Sequence, residues 1–298
     1  MLPRQFFSGT TYFVTRRTVQ RTYFLRPSPQ LNQIFLYCLA YAAERFGVEV
    51  HAYCLMSNHM HLIVTDPGTK LPKFMHWLDL FVSKCVNAML GRWGAMWEPE
   101  SYAPITLLGD ATIIEKIVYT LNNPVSAGLV RFGAQWPGCR SRPQDIGTRE
   151  IEVERPTFFF SRRMPKKVRL RLVRPPCLPE LEDAEVAEHI AERVSEKEKE
   201  TQAEFDRKGR TFRGRKGVLT QSPRSSPTTH EPRRQLRPSV ACRDKWWRIE
   251  WLQKRAVFLQ AYREAWERFC AGARDVIFPA GTYLMRVQFG VSCHDPPG

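Results

Sequence analysis

The chain has 298 residues, 43% of them apolar, with a formal net charge of +15 and an isoelectric point near 9.7. That apolar content supports one sizeable core plus an appendage, and the basic balance points to a polyanionic partner. Eight cysteines without any Cys-x-x-Cys pair argue against a zinc ribbon and give no disulfide framework, and no apolar run has the length of a signal peptide core or a membrane span. A soluble intracellular protein with reduced cysteines is expected.

Thr10 to Thr15 is rich in β-branched and aromatic residues and predicts a first strand, with Arg16, Arg17 and Arg21 placing charge at its end. Ser28 is an N-cap candidate for a helix whose apolar residues, Leu31, Ile34, Phe35, Cys38, Leu39, Ala42 and Phe46, recur at helical spacing until Gly47. Val48 to Met56 reads as a second strand, Ser57-Asn58 as a tight connection, and His59 to Thr65 as a third strand stopped by Asp66-Pro67-Gly68. Phe74 to Met89 carries the apolar stripe of a second helix. Ala103 to Leu108 is a short fourth strand with Pro104 near its start, which an edge strand tolerates. A third helix is expected from Ala111 to about Asn122.

This order, β-α-β-β-α-β followed by a helix, predicts an α+β fold of ferredoxin-like arrangement. It is a four-stranded antiparallel sheet with two helices on one face and the last helix free to lie across the other. RNA-recognition modules share the topology, so the fold does not separate catalysis from binding.

Residues two apart on a strand project from one face, so His59 and His61 present two imidazoles about 7 Å apart, able to share a metal ion. Met60 between them points into a core. His51 and His76 do not join this pattern.

The second half is different in kind. Residues 1–140 hold 13 Lys and Arg against 8 Asp and Glu, and the remainder holds 32 against 22, so most of the excess charge lies outside the histidine-bearing part. Residues 141–240 read as a basic, partly flexible linker. Its stretch to 180 is Arg/Pro-rich with an apolar island at 157–160, and 181–208 is a charged helix with a thin stripe (Val186, Ile190, Val194), expected to be a solvated spacer. Lys208 to Gly217 reads as a basic, glycine-punctuated loop carrying Arg210, Arg213, Arg215 and Lys216, and Gln221 to Pro238 as a flexible linker. Residues 241–298 are a helical, aromatic-rich region. The helix from Lys245 to Phe269 is expected to use its aromatics as core, and Phe278 to Arg286 to close the chain as a turn and strand.

Two segments carry a resemblance. Ser57-Asn58-His59-Met60-His61-Leu62-Ile63 is similar to the histidine strand of the single-tyrosine HUH transposases, in particular the REP-associated tyrosine transposase branch (IS200-like transposases). Tyr119 to Val130, containing Asn122-Asn123-Pro124-Val125 and Ala127-Gly128-Leu129, is similar to their tyrosine helix. The resemblance spans about residues 5 to 140 and implies a catalytic domain over 1–140. It implies metal-dependent cleavage and rejoining of single-stranded or hairpin DNA, with Tyr119 as nucleophile and a 5′-phosphotyrosine intermediate.

A phenol is a weak nucleophile at neutral pH, its ordinary pKa being about 10, so a cation on the phosphate is wanted. His59 and His61 supply two ligands. Asn123, one helical turn after Tyr119, is the expected third, with Glu115, one turn before it, as the alternative ligand or base should Pro124 break the helix early. Mg²⁺ or Mn²⁺ is the expected ion. DNA contacts are expected from Arg16, Arg17 and Arg21 and from Arg210, Arg213, Arg215 and Lys216. The resemblance further implies a monomer or homodimer in a bacterial-type cytoplasm, associated with the nucleoid. The rival expectation is a non-catalytic, RRM-like binder of nucleic-acid hairpins. A third is a protein using His59 and His61 to hold structural zinc.

Overall fold

In the computed structural model, residues 3–99, 102–157, 159–229 and 238–296 are described. In chain order the elements are β1 (Thr10–Arg17), α1 (Pro29–Phe46), β2 (Glu49–Leu55), β3 (His59–Asp66), α2 (Leu71–Met89), β4 (Ala103–Leu108) and α3 (Asp110–Ser126). There follow β5 (Glu150–Glu154), β6 (Lys167–Arg171), α4 (Asp183–Arg207), α5 (Gly214–Leu219), β7 (Val240–Cys242), α6 (Lys245–Cys270) and α7 (Leu284–Phe289).

Local chemistry accounts for the first elements. At α1 the Ser28 hydroxyl accepts from the Leu31 amide at 3.1 Å, Pro29 opens the first turn, and Gly47 ends it in the left-handed region at φ 64°. The α2 start is capped from a distance. The buried Asp66 carboxylate accepts from the Lys70 amide at 2.9 Å and the Leu71 amide at 2.7 Å, tying the end of β3 to the helix.

The main sheet has the order β2-β3-β1-β4-β7. β1 runs antiparallel to both β3 and β4, and β2 antiparallel to β3. The register sets Thr15 opposite His61 and Arg17 opposite His59. A bulge between Val50 and Ala52 inserts His51, whose ring is buried between the Thr65 hydroxyl at 2.7 Å and the Val173 carbonyl at 2.9 Å.

Alternation then builds two unlike faces. Tyr12, Val14, Leu55, Met60, Leu62 and Val64 pack under α1 and α2 in the larger core. Phe13, Ala52, Ile63 and Leu107 meet Ile113, Ile117 and Leu121 of α3 on the other side.

Several expectations are corrected. The sheet has five strands, because β7 adds in parallel to β4, pairing Thr106 with Val240 and Leu108 with Cys242. β4 is thus an edge only near Pro104, where the missing amide costs no ladder bond. The 181–208 helix is no solvated spacer: Val186, Ile190 and Val194 are buried against α3, so even a thin apolar stripe suffices when a matching face stands opposite. Within the Arg/Pro-rich stretch, β5 and β6 pair as a hairpin that adds Val153, Val168 and Leu170 to the α1 core. Part of the basic loop is helical, α5, anchored by the buried Val218.

The supposed linker is docked through residue 229, with the Tyr23 amide donating to the Ser225 carbonyl and Arg26 to the Gln221 carbonyl; residues 230–237 of it lie outside the described residues. α6 is not a core helix, since only Phe258 and Ala265 on it are buried, while Trp246 and Trp247 are 72% and 57% exposed. The closing segment forms α7 in place of a strand. All eight cysteines are free thiols, six of them buried.

Candidate active site

The two histidines stand on the α3 face of the sheet. Each ring is held at Nδ1: His59 by the Asn58 side-chain oxygen at 2.7 Å, His61 by the Thr15 hydroxyl at 3.1 Å. A ring fixed at Nδ1 presents Nε2 as its ligand atom. At His61 that Nε2 is buried and has no hydrogen-bond partner among the described residues. The ring centroids of His59 and His61 are 4.8 Å apart.

Burial, and secondarily the charges of His59, Arg17 and Lys116, hold His61 well below the usual imidazole range. It is therefore neutral at pH 7 with a lone pair to give. Phe13 stacks on its other side at 5.1 Å and fixes the ring plane.

Tyr119 comes to this pair from α3. Its ring lies edge-on to His61 at 5.5 Å and to Phe13 at 5.8 Å, yet the residue remains 46% exposed to solvent. Lys116, one turn earlier, places its ammonium 5.4 Å from the Tyr119 ring centroid.

The helix does not end at Asn122. It runs through Pro124 to Ser126, with the Ala127 amide donating to the Asn123 carbonyl at 2.9 Å. Asn123 thus keeps its helical position one turn beyond Tyr119, and it is buried. Val125, two residues on, packs with Cys54 and Met56, and Cys54 is the β2 residue opposite His61. The Asn123 end of the helix therefore lies along the strand end that carries the histidines. Glu115 is exposed one turn before Tyr119. Among the described residues no group of three or more His, Cys, Asp and Glu side chains is placed to hold a metal ion.

The arginines divide. Arg17, two residues beyond Thr15, lies opposite His59 on the site face. Arg16 points through the sheet to the other side, where its Nε is 3.0 Å from Asp79 and its guanidinium lies 5.5 Å from the Trp97 ring centroid. Arg21 sits at φ 56°, donates to the Thr229 carbonyl at 2.7 Å, and accepts from Asn58 through its own carbonyl.

The basic segment of the second half is brought to the same end of the molecule. The Arg213 amide donates to the Gly128 carbonyl at 2.9 Å, and Val218 packs with Met56, Val125 and Trp136. Arg210, Arg213, Arg215 and Lys216 are all exposed there, Arg210 lying over the Phe205 ring at 4.2 Å. The sequence reading misses Phe13, Thr15 and Lys116. The alternation that predicts the β1 strand places the first two beside Arg17 on one face, and Lys116 sits three residues before the tyrosine on its helix.

The family described as "Transposase IS200 like" matches residues 8–114, a stretch that contains both histidines and stops short of Tyr119. No curated protein was found to match the chain. Among solved structures, a REP-associated tyrosine transposase bound to a REP hairpin is similar at 20% identity, over 45% of this chain and 78% of that one, with a TM-score of 0.38. A candidate transposase of Deinococcus radiodurans R1 is similar at 20% identity, over 36% of this chain and 86% of that one, with a TM-score of 0.29. These structural likenesses are loose, and no argument rests on them. Residues 8–114, a little over a third of the chain, are thus similar to the IS200-like transposases.

Proposed function

We propose that the protein cuts and rejoins single-stranded or hairpin DNA through a 5′-phosphotyrosine link at Tyr119, assisted by a divalent cation. The observation that carries this reading is the buried Nε2 of a neutral His61, without a hydrogen-bond partner among the described residues, with the Tyr119 ring centroid 5.5 Å from its own. A lone pair left in that state is costly unless a ligand completes it, and neutral imidazole is a ligand that Mn²⁺ and Mg²⁺ accept. His59, His61 and Asn123 would hold the ion. When bound it supplies charge neutralisation at the scissile phosphate.

The chain's own groups do the rest. Tyr119 offers its hydroxyl oxygen from an exposed helix face. Phe13 and Thr15 keep the His61 ring from turning. Lys116, 5.4 Å from the Tyr119 ring centroid, and Arg17, opposite His59, supply positive charge for the phosphate oxygens. The new tyrosyl ester preserves the energy of the broken bond, and the freed 3′-hydroxyl or another can attack it, joining strands without ATP.

We read β1–α1–β2–β3–α2–β4 as a ferredoxin-like unit to which β7 is added, and residues 1–140 as the part that carries the chemistry. Residues 141–240 and 241–298 are additions to that part. Arg17, Arg21 and the exposed Arg210, Arg213, Arg215 and Lys216 form the DNA-contacting set; the placement of Arg16 favours a structural role for it. The working location is the bacterial-type cytoplasm, at the nucleoid.

The test is a labelled hairpin pool incubated with Mn²⁺ and resolved on a denaturing gel. A covalent protein–DNA band with the wild type, absent with Tyr119→Phe, supports the reading. If both proteins shift the DNA and neither forms the band, the chain is a hairpin binder and the proposal fails.

A further inference from the structure

Shortly after the tyrosine helix the chain returns to the main sheet. The Leu55 amide donates to the Cys139 carbonyl at 2.8 Å and the Ser141 amide to the Tyr53 carbonyl at 3.0 Å, which sets Arg140 against Cys54 on the outer side of β2. Cys54 lies opposite His61, and His61 opposite Thr15. Arg140, Cys54, His61 and Thr15 therefore form one row across the sheet, and residues directly opposite each other project to one face. Arg140 rises from the row of the buried histidine, two strand spacings or about 10 Å away from it.

Its side chain spans the gap to α3. Arg140 Nε donates to the Leu121 carbonyl at 2.6 Å and Nη2 lies 3.9 Å from Glu198 Oε1 of α4, the two side chains being 8% and 14% exposed. The same Glu198 oxygen accepts from the Gly133 amide at 2.9 Å. A Cβ at position 133 would stand 2.7 Å from both Arg140 Nη2 and Glu198 Oε1, so the pair is packed directly against the backbone. α4 holds the next residue of α3 as well, since Asn122 Nδ2 donates to the Thr201 hydroxyl at 3.2 Å. Leu121 and Asn122 are the two residues immediately before Asn123. Pro124 has no amide hydrogen for the Thr120 carbonyl, and its ring crowds that carbonyl, so this turn is the weakest of the helix. Arg140 places a charged donor on the adjoining carbonyl, a stronger bond than a neutral one. A buried guanidinium with so long an ion pair is a poor device for stability alone.

We propose that Arg140, steadied by Glu198, is a positioning residue for the Tyr119 site. It braces the turn from Tyr119 to Asn123 against the histidine row, so that the Asn123 amide and the two imidazoles address one point. The proposal rests on the reading of the Tyr119 site and goes beyond it, because Glu198 brings α4 into the working unit. Arg140 acts through the helix backbone, so its loss shifts a ligand and leaves the basic strand-contacting surface in place.

The test compares the full chain with Arg140→Met and with the double variant Arg140→Met/Glu198→Gln, which leaves no lone buried charge and so guards against simple unfolding. All are measured below their melting temperatures. At saturating hairpin DNA with Mn²⁺, covalent adduct formation is expected to slow by about 10²-fold, and Mn²⁺ affinity in calorimetry to fall by about tenfold. The hairpin Kd without metal should change by less than about threefold. Hydrogen exchange at the amides from Val125 to Gly128 should quicken, since their helical bonds lie just past the released carbonyl. Arg140→Lys keeps one donor for Leu121 and should recover about tenfold of the lost rate. If the wild type forms adduct and both methionine variants match it in rate and Mn²⁺ affinity, the positioning role is overturned while the Tyr119 reading stands. It is overturned likewise if rate, Mn²⁺ affinity and hairpin binding fall in parallel and lysine restores nothing, which marks a part of the fold only. A wild type that forms no adduct overturns the Tyr119 reading, and the positioning role with it.

Discussion

The two faces of the sheet are made from the same strands and do opposite work. On one, Val14, Met60, Leu62 and Val64 disappear under α1 and α2 into a continuous apolar core. On the other, the residues between them, Phe13, Thr15, His59 and His61, hold a partly polar site under α3. Arg16 and Arg17 show how sharp the division is. They are neighbours in a basic run, yet one closes a buried ion pair with Asp79 and the other stands opposite His59. A one-residue step along a strand changes which solvent and which partners a side chain meets.

The largest expected effect breaks the site face alone. Tyr119→Phe should reduce DNA cleavage by about 10³-fold or more while leaving the urea midpoint unchanged, since the hydroxyl belongs to a half-exposed side chain. A variant that still forms covalent adduct would shift the nucleophile elsewhere.

His61→Ala comes next. It should abolish Mn²⁺ binding in calorimetry and remove metal-stimulated cleavage, with hairpin binding in the absence of metal reduced much less. Retained Mn²⁺ affinity would remove His61 from the ligand set.

The arginine pair sharpens the comparison. Arg16→Ala leaves Asp79 buried without its cation and should destabilise the fold by about 3 kcal/mol, seen as a lower melting temperature. Arg17→Ala should leave stability within about 0.5 kcal/mol, weaken hairpin binding several-fold, and lower the salt dependence of that binding by about one counterion. Equal stability losses in both variants would show that the face assignment does not govern their roles.

The smallest effect is read in pH. Burial lowers the His51 imidazole to about 4, so between its unfolded value near 6.5 and that pH the unfolded chain takes up a proton that the folded chain refuses. Stability from this group is complete above pH 6.5 and is lost as pH falls, by about 2 kcal/mol on going from pH 7 to 5. Asp79, raised to about 7, acts in the opposite sense over the same range, which flattens the wild-type profile. His51→Gln lacks the first contribution. Its stability deficit relative to wild type should therefore narrow at pH 5, and a constant deficit in denaturant titrations would contradict the buried neutral ring.

Much of the first half is legible in the sequence. Ser28, Gly47 and the apolar spacing between them delimit α1, because capping and helical periodicity act within a few residues. The His-x-His alternation puts both imidazoles on one face, and the spacing of Tyr119 and Asn123 puts them one turn apart. Pro124 misleads about the α3 end. The restriction it imposes on Asn123 is a preference, which the packing of Val125 and Val130 against Met56 and Trp136 overrides.

Local facts thus follow from the amino-acid order: the strand and helix succession over the first 130 residues, the alternation of faces, and the candidate ligands and nucleophile. The pairings between distant segments are properties of the folded chain. They include β7 beside β4, α4 on α3, the 210–229 segment along the turn before His59, and α6 across a cleft from α2. Each depends on complementary surfaces brought together from separate parts of the chain. Short-range periodicity carries no record of which surface will stand opposite.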